Sequence, residues 1–425
     1  MMRVSKSHIH LTFGLLLTTL LIMTTVGNST LSFAAQATPA ATEMGTAAAG
    51  NGACDAAVGM TPATPAADIL SGAATGDIKV GVAIALSGAA KAYGESQRKG
   101  LLLAQNEINK AGGVDGKTIA LLIKDTASDK AQAATVFQNF IQQDKVLAIL
   151  GPTLSAEAAA ADPLAQQASV PVIGMSNTGN GITEIGNFVF RDSLSEADAI
   201  PNTVAVMKSK LNIKNVAVMY AQDDKFSSDS YQVFKTELAK NGINVLDTEV
   251  FNTADTAFDS YLTKIQGLSP APDAIVVTSL LGAASKIIVK ARDLGLNQQI
   301  IGGNGFNTPL LITLASKAAE GTIFGGAWSC SNTDPVNTAF VQAYIAQWAQ
   351  APDQFSAQAY TALKILADAI HRAGSATDSK ALRDALAATK DLPTPLGSFA
   401  FDPGRNAKQQ TYIQMIQGGK FVLVQ

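Results

Sequence analysis

The stretch Ile-Lys-Val-Gly-Val-Ala-Ile-Ala-Leu at residues 78–86 (IKVGVAIAL) decides the fold of this chain. It is a continuous apolar run rich in Val and Ile, the pattern of a strand that is covered on both faces. A helical pattern follows at 98–110 (RKGLLLAQNEINK), and the small residues at 111–113 end it. The cycle then continues with strands at 118–124, 146–150 and 170–174 and with helices at 130–143 and 155–168. This order predicts a βαβ series with a parallel sheet.

A second unit of the same kind follows, because the strand–helix rhythm restarts around 188–197. Strands are predicted at 216–220, 244–250, 274–278 and 299–301, with helices at 228–240, 257–266 and 283–294. Later helices are predicted at 336–349, 355–373 and 379–389, and short strands near 398–401, 410–417 and 421–424. We therefore expect an α/β protein with two doubly wound parallel-sheet lobes and a cleft between them. In such sheets, ligands bind outside the carboxyl ends of the strands.

Residues 1–37 have the pattern of a secretory signal peptide. Arg3 and Lys6 precede an apolar run at 11–26, and Ala35-Gln36-Ala37 fits the small-residue exit that signal peptidase requires. A single membrane anchor is the second interpretation, and the run is shorter than the roughly 20 residues that span a bilayer. We expect the mature chain to be secreted and extracytoplasmic.

Residues 38–76 are dominated by Ala, Thr, Pro and Gly, a composition that predicts a flexible tether. The tether contains Cys54, which lies far from the apolar run and has Asn51 in place of the Leu-like residue that a lipidation site requires. Lipidation at Cys54 is therefore not expected. The other cysteine is Cys330, and the sequence leaves two alternatives open, a disulfide or two independent thiols.

The residue inventory argues against catalysis and against nucleic-acid binding. The net charge is −3 and the basic residues are scattered, so nothing points to nucleic acid. His371 is the single histidine outside the predicted signal peptide, and no G-x-S-x-G motif accompanies it. Cysteine and histidine are too few for an ordinary zinc site, and neither G-x-G-x-x-G nor a P-loop occurs. We expect no enzyme activity, no cofactor and no metal.

The strand-to-helix loops carry the candidate binding groups. Ser155 opens a helix after the strand at 146–150, and Ser176-Asn177-Thr178 follows the strand at 170–174. Ser155 has two interpretations: it caps its helix, or it offers a hydroxyl at the positive end of the helix dipole, where a carboxylate is favoured. Two such loops on neighbouring strands can converge on one anion. Tyr93, after the first strand, can add an aromatic wall.

The order of several stretches carries a family resemblance. They are IKVGVAIALSGAAKAYGESQRKG, INKAGGVDGK, AILGPTLSAEA, VPVIGMSNT and AIVVTSLLGAASKIIVKARDLGL. The resemblance as a whole covers essentially all of residues 77–425. In order and spacing they resemble the branched-chain amino-acid binding proteins, which are type I periplasmic binding proteins of ABC transporters. The opening Ser-Gly with a Tyr before Gly, and the G-x-x-x-Ser loop, are the most specific parts of this resemblance.

The resemblance implies a ligand site. The ligand carboxylate should meet Ser155, the Ser176 loop and Thr178, with Tyr93 packing over the ligand. Across the cleft, the matching positions are Phe226 and Leu280, where the family often has aromatic residues, Phe355 in the side-chain pocket, and Glu196 at the lobe crossover. One departure stands out: the family's amine-binding carboxylate is Asn304 here. The carboxylate half of the site is kept while the ammonium half is weakened.

The resemblance also implies an architecture and partners. Lobe one would be 77–192 plus 329–396, and lobe two 196–328 plus 397–425, joined by a three-segment hinge. The chain would be a monomer that binds a small carboxylate-bearing molecule, namely an amino acid, a keto acid or an aromatic acid, and delivers it to an ABC transporter permease. An extracytoplasmic sensor that reports to a signalling partner is the alternative. A hydrolase on a similar fold is disfavoured because no nucleophile–base pair can be assembled.

Overall fold

The computed structural model describes Cys54 and residues 74–424, which belong to one compact unit, residues 47–425. The predicted signal peptide, and the predicted tether apart from Cys54 and residues 74–76, lie outside the described residues. The helices are α1 (Lys91–Lys110), α2 (Lys130–Asn139), α3 (Ser155–Ala168), α4 (Glu196–Ser209), α5 (Lys225–Lys240), α6 (Asp259–Gln266), α7 (Leu281–Asp293), α8 (Pro309–Ala315), α9 (Pro335–Trp348), α10 (Gln354–Ala373) and α11 (Ser379–Ala387). The strands are β1 (Ile78–Ile84), β2 (Ile119–Asp125), β3 (Ala148–Leu150), β4 (Val172–Gly174), β5 (Val189–Arg191), β6 (Asn215–Ala221), β7 (Asn244–Phe251), β8 (Ala274–Thr278), β9 (Gln299–Gly302), β10 (Ile323–Gly326), β11 (Leu392–Thr394), β12 (Gly397–Phe399), β13 (Tyr412–Gln417) and β14 (Lys420–Leu423).

The first sheet contains five parallel strands in the order β2-β1-β3-β4-β5. Its interior strand β1 is buried on both faces: Val80 and Val82 pack into the core that α1 and α10 cover, while Ala83 packs with residues of α2 and α3 on the other side. The apolar run of the sequence therefore forms the doubly covered parallel strand that it predicts.

The second sheet contains seven strands in the order β14-β13-β10-β9-β8-β6-β7. Strands β6 to β10 are parallel and repeat the strand order of the first sheet. Strand β13 is antiparallel to β10, and β14 is antiparallel to β13. The second sheet is therefore mixed, with two antiparallel strands added at one edge of the predicted parallel strands. Gly418 and Gly419, both with positive φ, form the two-residue turn between β13 and β14, and such a turn joins only antiparallel strands.

Helices α1 and α10 pack closely against each other. A Cβ atom added at Gly100 of α1 would lie 2.1 Å from the carbonyl oxygen of Ser356 in α10. At Gly94 it would lie 1.8 Å from the carbonyl oxygen of Ala85, just after β1. Both glycines are required because the backbones approach so closely that no side chain fits. This contact fixes the start of α1 and the start of α10 side by side.

Two helices are not predicted from the sequence, α4 and α8. Helix α4 contains Pro201 in its second turn, and α8 begins with Pro309, so proline disguises both patterns. Helix α1 begins at Lys91 rather than at residue 98, and α2 ends at Asn139, where a single π-turn at 140–144 replaces its predicted last turn. The remaining predicted helices differ from the observed ones only near their ends.

The chain passes between the sheets after β5, after β10 and after β12. At the third passage, Phe399 and Phe401 still pack into the first-sheet core, and the Phe401 ring centroid lies 5.1 Å from that of Phe190 in β5. The chain thus leaves the first sheet only after Phe401.

Cys54 and Cys330 form a disulfide, with 6.4 Å between their Cα atoms. Both are partly buried against the first-sheet core, and Cys330 lies on the second passage between the sheets. Of the two alternatives that the sequence leaves open, the structure has the disulfide. In the part of the chain described, none of the helices is both long enough and apolar enough to cross a membrane.

Candidate ligand-binding site

The predicted site residues lie where the central strands of the two sheets end. In both sheets the chain adds strands first on one side of the starting strand and then on the other. This change of direction lies between β1 and β3 in the first sheet and between β6 and β8 in the second sheet. Such a switch point opens a crevice at the carboxyl ends of the strands. Ser155 and Thr178 follow β3 and β4, while Phe226, Leu280 and Asn304 follow β6, β8 and β9. The two crevices face each other.

Tyr93, in the first turn of α1, joins the two sides. Its hydroxyl donates to the carbonyl oxygen of Gly305 at 2.9 Å and accepts from the backbone N–H of Leu281 at 2.7 Å. Both partners belong to the second sheet's side. The ring of Tyr93 packs on Phe355 of α10, with centroids 4.3 Å apart, which follows from the close packing of the two helices. The facing sides are therefore in direct contact, and Tyr93 is 3% exposed.

Phe226 and Leu280 line the opposite wall. Phe226 is buried in the first turn of α5, and a Cβ added at Gly305 would lie 3.6 Å from its ring. Leu280 is the residue before α7 and packs in the same core cluster as Tyr93 and Phe355. This wall offers apolar surface to a ligand.

Ser155 does not cap its helix. The N-cap residue of α3 is Leu154, whose N–H donates to Glu157 Oε2 at 2.9 Å. The Ser155 hydroxyl instead accepts from the N–H of Gly179 at 3.2 Å, in the loop after β4. Ser155 is buried, and its hydroxyl lies at the positive end of the α3 dipole. These contacts bring Ser155 and the Thr178 loop together, as the predicted carboxylate site requires.

Ser176 points its side chain away from that site. Its hydroxyl donates to the carbonyl oxygen of Thr153 at 2.6 Å and accepts from Gln97 Nε2 at 2.9 Å, within the first unit. The hydroxyl of Thr153 in turn donates to Gln97 Oε1 at 2.7 Å. Ser176 thus fixes the loop that carries Thr178, and only its backbone remains for a ligand.

Glu196 lies at the first passage between the sheets, as the first residue of α4. Its Oε1 accepts from the backbone N–H of Asn304 at 3.1 Å and from the Thr178 hydroxyl at 3.5 Å. Its Oε2 is buried and has no hydrogen-bond partner among the described residues. Burial raises the pKa of Glu196 to about 7, although the bonds from Asn304 and Thr178 oppose that rise. Glu196 connects the loops of both sheets.

Asn304 is held in one orientation by Gln354, a residue that sequence reasoning missed. Gln354 Oε1 accepts from the backbone N–H of Ala327 at 2.6 Å and from Asn307 Nδ2 at 3.0 Å, so its Nε2 is the donor. That Nε2 donates to Oδ1 of Asn304. The backbone N–H of Ala327 can only donate, so it fixes the orientation of the Gln354 amide and, through it, that of Asn304. Oδ1 of Asn304 therefore accepts from Gln354, and the NH₂ group of Asn304 is left for other partners. Gln354 precedes the predicted site residue Phe355 in the sequence, and this is the one sequence feature that could have indicated it.

Asp229 of α5 is a second residue that sequence reasoning missed. Its Oδ2 accepts from the N–H of Asn180 at 2.9 Å, across the cleft, and pairs with Lys225 at 2.7 Å. Nothing in the sequence points to this contact, because Asp229 has the pattern of an ordinary exposed helix residue with a lysine four positions earlier.

His371 lies elsewhere, about half exposed, with Nδ1 2.6 Å from Asp115 Oδ1 at the end of α10. Among residue 54 and residues 74–424, no group of three or more His, Cys, Asp or Glu side chains could hold a metal ion.

Comparisons with known proteins show which proteins this chain resembles. Residues 77–420 match the family model described as periplasmic binding protein. The chain is 27% identical to a Leu/Ile/Val-binding protein of Rhizobium johnstonii over 81% of this chain and 93% of that protein. Among solved structures, it is 32% identical to the branched-chain amino acid transporter substrate-binding protein LivJ of Streptococcus pneumoniae in complex with isoleucine, with a TM-score of 0.77 and coverage of 82% of this chain and 99% of that one.

A second solved structure extends the range of ligands in these relatives. It is a solute-binding protein of an ABC transporter from Rhodopseudomonas palustris BisB5, in complex with 3,4-dihydroxybenzoic acid. The two chains are 26% identical with a TM-score of 0.73, over 82% of this chain and 96% of that chain. The residues that the family model matches, 77–420, include every predicted site residue. The chain belongs to the periplasmic binding protein family.

Proposed function

We propose that this protein is the extracytoplasmic solute-binding receptor of an ABC importer and that it encloses a small carboxylate-bearing ligand between its two α/β units. The Ser155 hydroxyl, the Thr178 loop and the start of α3 receive the carboxylate, while Tyr93, Phe355, Phe226 and Leu280 surround the rest of the ligand. The monomeric, ligand-bound receptor delivers its cargo to a membrane permease. A sensor role is less well supported, since the relatives described above are transporter components.

The lobes we propose are 77–192 with 329–401, and 196–328 with 402–425. The last boundary is moved from residue 396 to Phe401 because Phe399 and Phe401 pack on the first-sheet core. In this proposal the three hinge segments are the passages of the chain between the sheets, after β5, after β10 and after β12.

The orientation of Asn304 carries our proposal for the ligand. Since Gln354 holds the orientation of the amide and takes one of the two lone pairs of its oxygen, Asn304 keeps its whole NH₂ group as a donor where the family has a carboxylate. A donor suits a keto, hydroxyl or phenol oxygen and does not suit an ammonium, which is itself only a donor. Together with the apolar wall of Phe226 and Leu280, this favours a keto acid or an aromatic acid.

A second candidate ligand class, the α-amino acids, is favoured by Glu196. Its Oε2 is buried without a partner, and a buried ammonium needs an opposite charge because its removal from water otherwise costs several kcal/mol. An ammonium beside Glu196 would require the carboxylate to be deprotonated. Amino-acid affinity would then increase as the pH rises through about 7, the pKa of Glu196.

Titration calorimetry with a defined panel tests both candidates. The panel is leucine and valine, their keto acids 4-methyl-2-oxopentanoate and 3-methyl-2-oxobutanoate, benzoate, and benzamide as the matched compound without a carboxylate. We expect the keto acids or benzoate to bind more tightly than the amino acids, and benzamide to bind weakly. Tighter binding of leucine or valine, with affinity rising through pH 7, would instead establish the amino-acid class. Failure of every carboxylate to bind would overturn the proposed function.

Export is a separate part of the proposal. We propose that residues 1–37 are removed as a signal peptide and that the mature chain starts near Thr38 without a lipid. The intact mass of the secreted protein tests this. A mass that includes the apolar run at 11–26, or a diacylglycerol on Cys54, would contradict it.

A further inference from the structure

The loop that carries Thr178 is held by its carbonyl groups. The carbonyl oxygen of Asn177 accepts from Arg191 Nη1 at 3.0 Å and from the Ser193 hydroxyl at 3.1 Å. The carbonyl oxygen of Thr178 accepts from the N–H of Glu196 at 3.0 Å. The carbonyl oxygen of Gly179 accepts from Arg191 Nη1 at 2.7 Å. Consecutive carbonyls of the ligand loop are thus all turned towards the first passage between the sheets.

The N–H groups of the same loop face the other way. The N–H of Gly179 donates to the Ser155 hydroxyl at 3.2 Å, and the N–H of Asn180 donates to Asp229 Oδ2 at 2.9 Å. The donor side of the loop therefore lies towards the cleft. A carboxylate ligand is attracted by backbone N–H groups and repelled by carbonyl oxygens, so this orientation is a condition for binding an anion beside Thr178.

Arg191 is the residue that imposes the orientation. It is 4% exposed, yet its hydrogen-bond acceptors are neutral: two loop carbonyls and Asn406 Oδ1, which accepts from Nε at 2.7 Å. Burying a guanidinium with neutral partners is unfavourable unless its donors are well satisfied. The planar fork of an arginine can hold two carbonyls and a side-chain amide at once, which a lysine ammonium does not reproduce. Asn406 lies on the third passage between the sheets, so Arg191 ties the ligand loop to two hinge segments.

We propose that Arg191 is a positioning residue for the ligand's carboxylate: it turns the carbonyls of Asn177 and Gly179 away from the cleft and anchors the loop to Asn406. Arg191 does not touch the ligand and acts through the loop of Thr178. This inference rests on the proposed function for its effect on affinity, while its effect on the loop is independent of the ligand.

The test uses the full mature chain with Arg191→Lys, which keeps the charge and loses the fork. Arg372→Lys is the matched control, because Arg372 also donates to a backbone carbonyl of the first unit, that of Ala385 at 2.6 Å, far from the loop. A second pair changes the anchor: Asn406→Ala removes the acceptor of Arg191, and Asn406→Asp keeps an oxygen there. Amide hydrogen exchange of peptides spanning 176–181 is measured without ligand, and affinity is measured for the panel acid that binds wild type most tightly.

We expect exchange at 176–181 to accelerate at least about tenfold in Arg191→Lys and Asn406→Ala, and affinity for the acid to fall about tenfold or more, as for lost hydrogen bonds to a charged group. Arg372→Lys should stay near wild type, and Asn406→Asp, which keeps an oxygen acceptor for Arg191, should lose less than Asn406→Ala. Combining Arg191→Lys with Thr178→Ala should cost less than the sum of the single losses, because both act through one loop. Unchanged exchange at 176–181 would overturn the inference whatever the protein binds. If exchange accelerates and the affinity stays at the wild-type value, the positioning role is likewise refuted. If no panel acid binds wild type, the proposed function fails while the exchange data still decide the role of Arg191 in the loop.

Discussion

The hydroxyl of Tyr93 lies 2.9 Å from the carbonyl oxygen of Gly305, which joins the start of α1 on one side of the cleft to the loop after β9 on the other. The Tyr93 hydroxyl oxygen also accepts from the N–H of Leu281 at 2.7 Å. One side chain on the first sheet's side of the cleft therefore satisfies two backbone groups on the second sheet's side.

We predict that Tyr93→Phe weakens ligand binding about tenfold. The change removes two hydrogen bonds and leaves a buried N–H and a buried carbonyl without partners, which costs about 1–3 kcal/mol in the closed form only. Calorimetry gives the affinity, and small-angle scattering should show a larger radius of gyration without ligand. Tyr360→Phe is the control, since its hydroxyl donates to Glu107 at 2.5 Å within the first unit. An equal loss of affinity in both variants would contradict the prediction.

Ser155→Ala and Thr178→Ala should each weaken binding of the carboxylate by one to two decades. A hydrogen bond to a charged group contributes about 1.5–3 kcal/mol, and Ser155 does not stabilise α3 as a cap. Removing the Ser155 hydroxyl also leaves the N–H of Gly179 without its acceptor, so the melting temperature of ligand-free Ser155→Ala should fall modestly, while that of Thr178→Ala should change little. Thr203→Ala, which loses a hydroxyl bonded at 3.2 Å to Ala199 within α4, is a matched control. Wild-type affinity in both site variants would place the carboxylate elsewhere.

Asn304→Glu should shift preference towards leucine and valine, since it restores a carboxylate opposite the ligand's amine position. Gln354→Leu should act differently. It frees Oδ1 of Asn304, so the amide can rotate and accept from an ammonium, and the preference for keto acids over amino acids should shrink. Both variants are measured with the same panel by calorimetry. If Gln354→Leu leaves the ratio of the two affinities at its wild-type value, the orientation of Asn304 does not select the ligand.

The stability of the ligand-free protein should fall as the pH rises from about 4.5 to about 7. Burial raises the pKa of Glu196 from 4.5 to about 7, so the folded protein holds a proton that the unfolded chain has already released in this interval. The contribution is complete below pH 4.5 and is lost as the pH passes the folded pKa. Glu196→Gln should remove the part of this fall in the free energy of unfolding that Glu196 causes, up to about 3 kcal/mol between pH 4.5 and pH 7. Glu157 and Asp224, whose pKa values burial raises to about 7 and about 6, leave part of the slope in place. Denaturant unfolding across this pH range measures the difference, and an identical slope in wild type and Glu196→Gln would refute the assignment.

The purified mature protein should contain no free thiol, because Cys54 and Cys330 are paired. We expect Cys54→Ser with Cys330→Ser to lower the free energy of unfolding by about 2–4 kcal/mol, the usual contribution of a disulfide. Thiol titration under denaturing conditions and denaturant unfolding measure the two effects. Two titratable thiols in the exported wild type would show that the pair does not form.

Much of the fold could be predicted because its cause is local. The apolar run of β1 is buried whatever packs on it, and the parallel order of β1 to β5 follows from alternation of such runs with helices. The antiparallel pairing of β13 with β14 follows from the Gly418-Gly419 turn between them, while the pairing of β13 with β10 joins strands far apart in the chain, which no local pattern predicts. Helix α4 is not predicted because Pro201 lies beyond its first turn, the part of a helix where proline is normally tolerated.

The sequence by itself determined the strand–helix alternation, the loops that carry Ser155 and Thr178, and the substitution of Asn304, since each depends on residue type and order along the chain. Only the tertiary structure decided how these groups act. Gln354 donates to Oδ1 of Asn304, Arg191 donates to the carbonyls of Asn177 and Gly179 and to Asn406, and Tyr93 donates to the carbonyl of Gly305. Each of these contacts joins residues of different elements or loops, and a hydrogen bond has a direction that only the packed structure fixes.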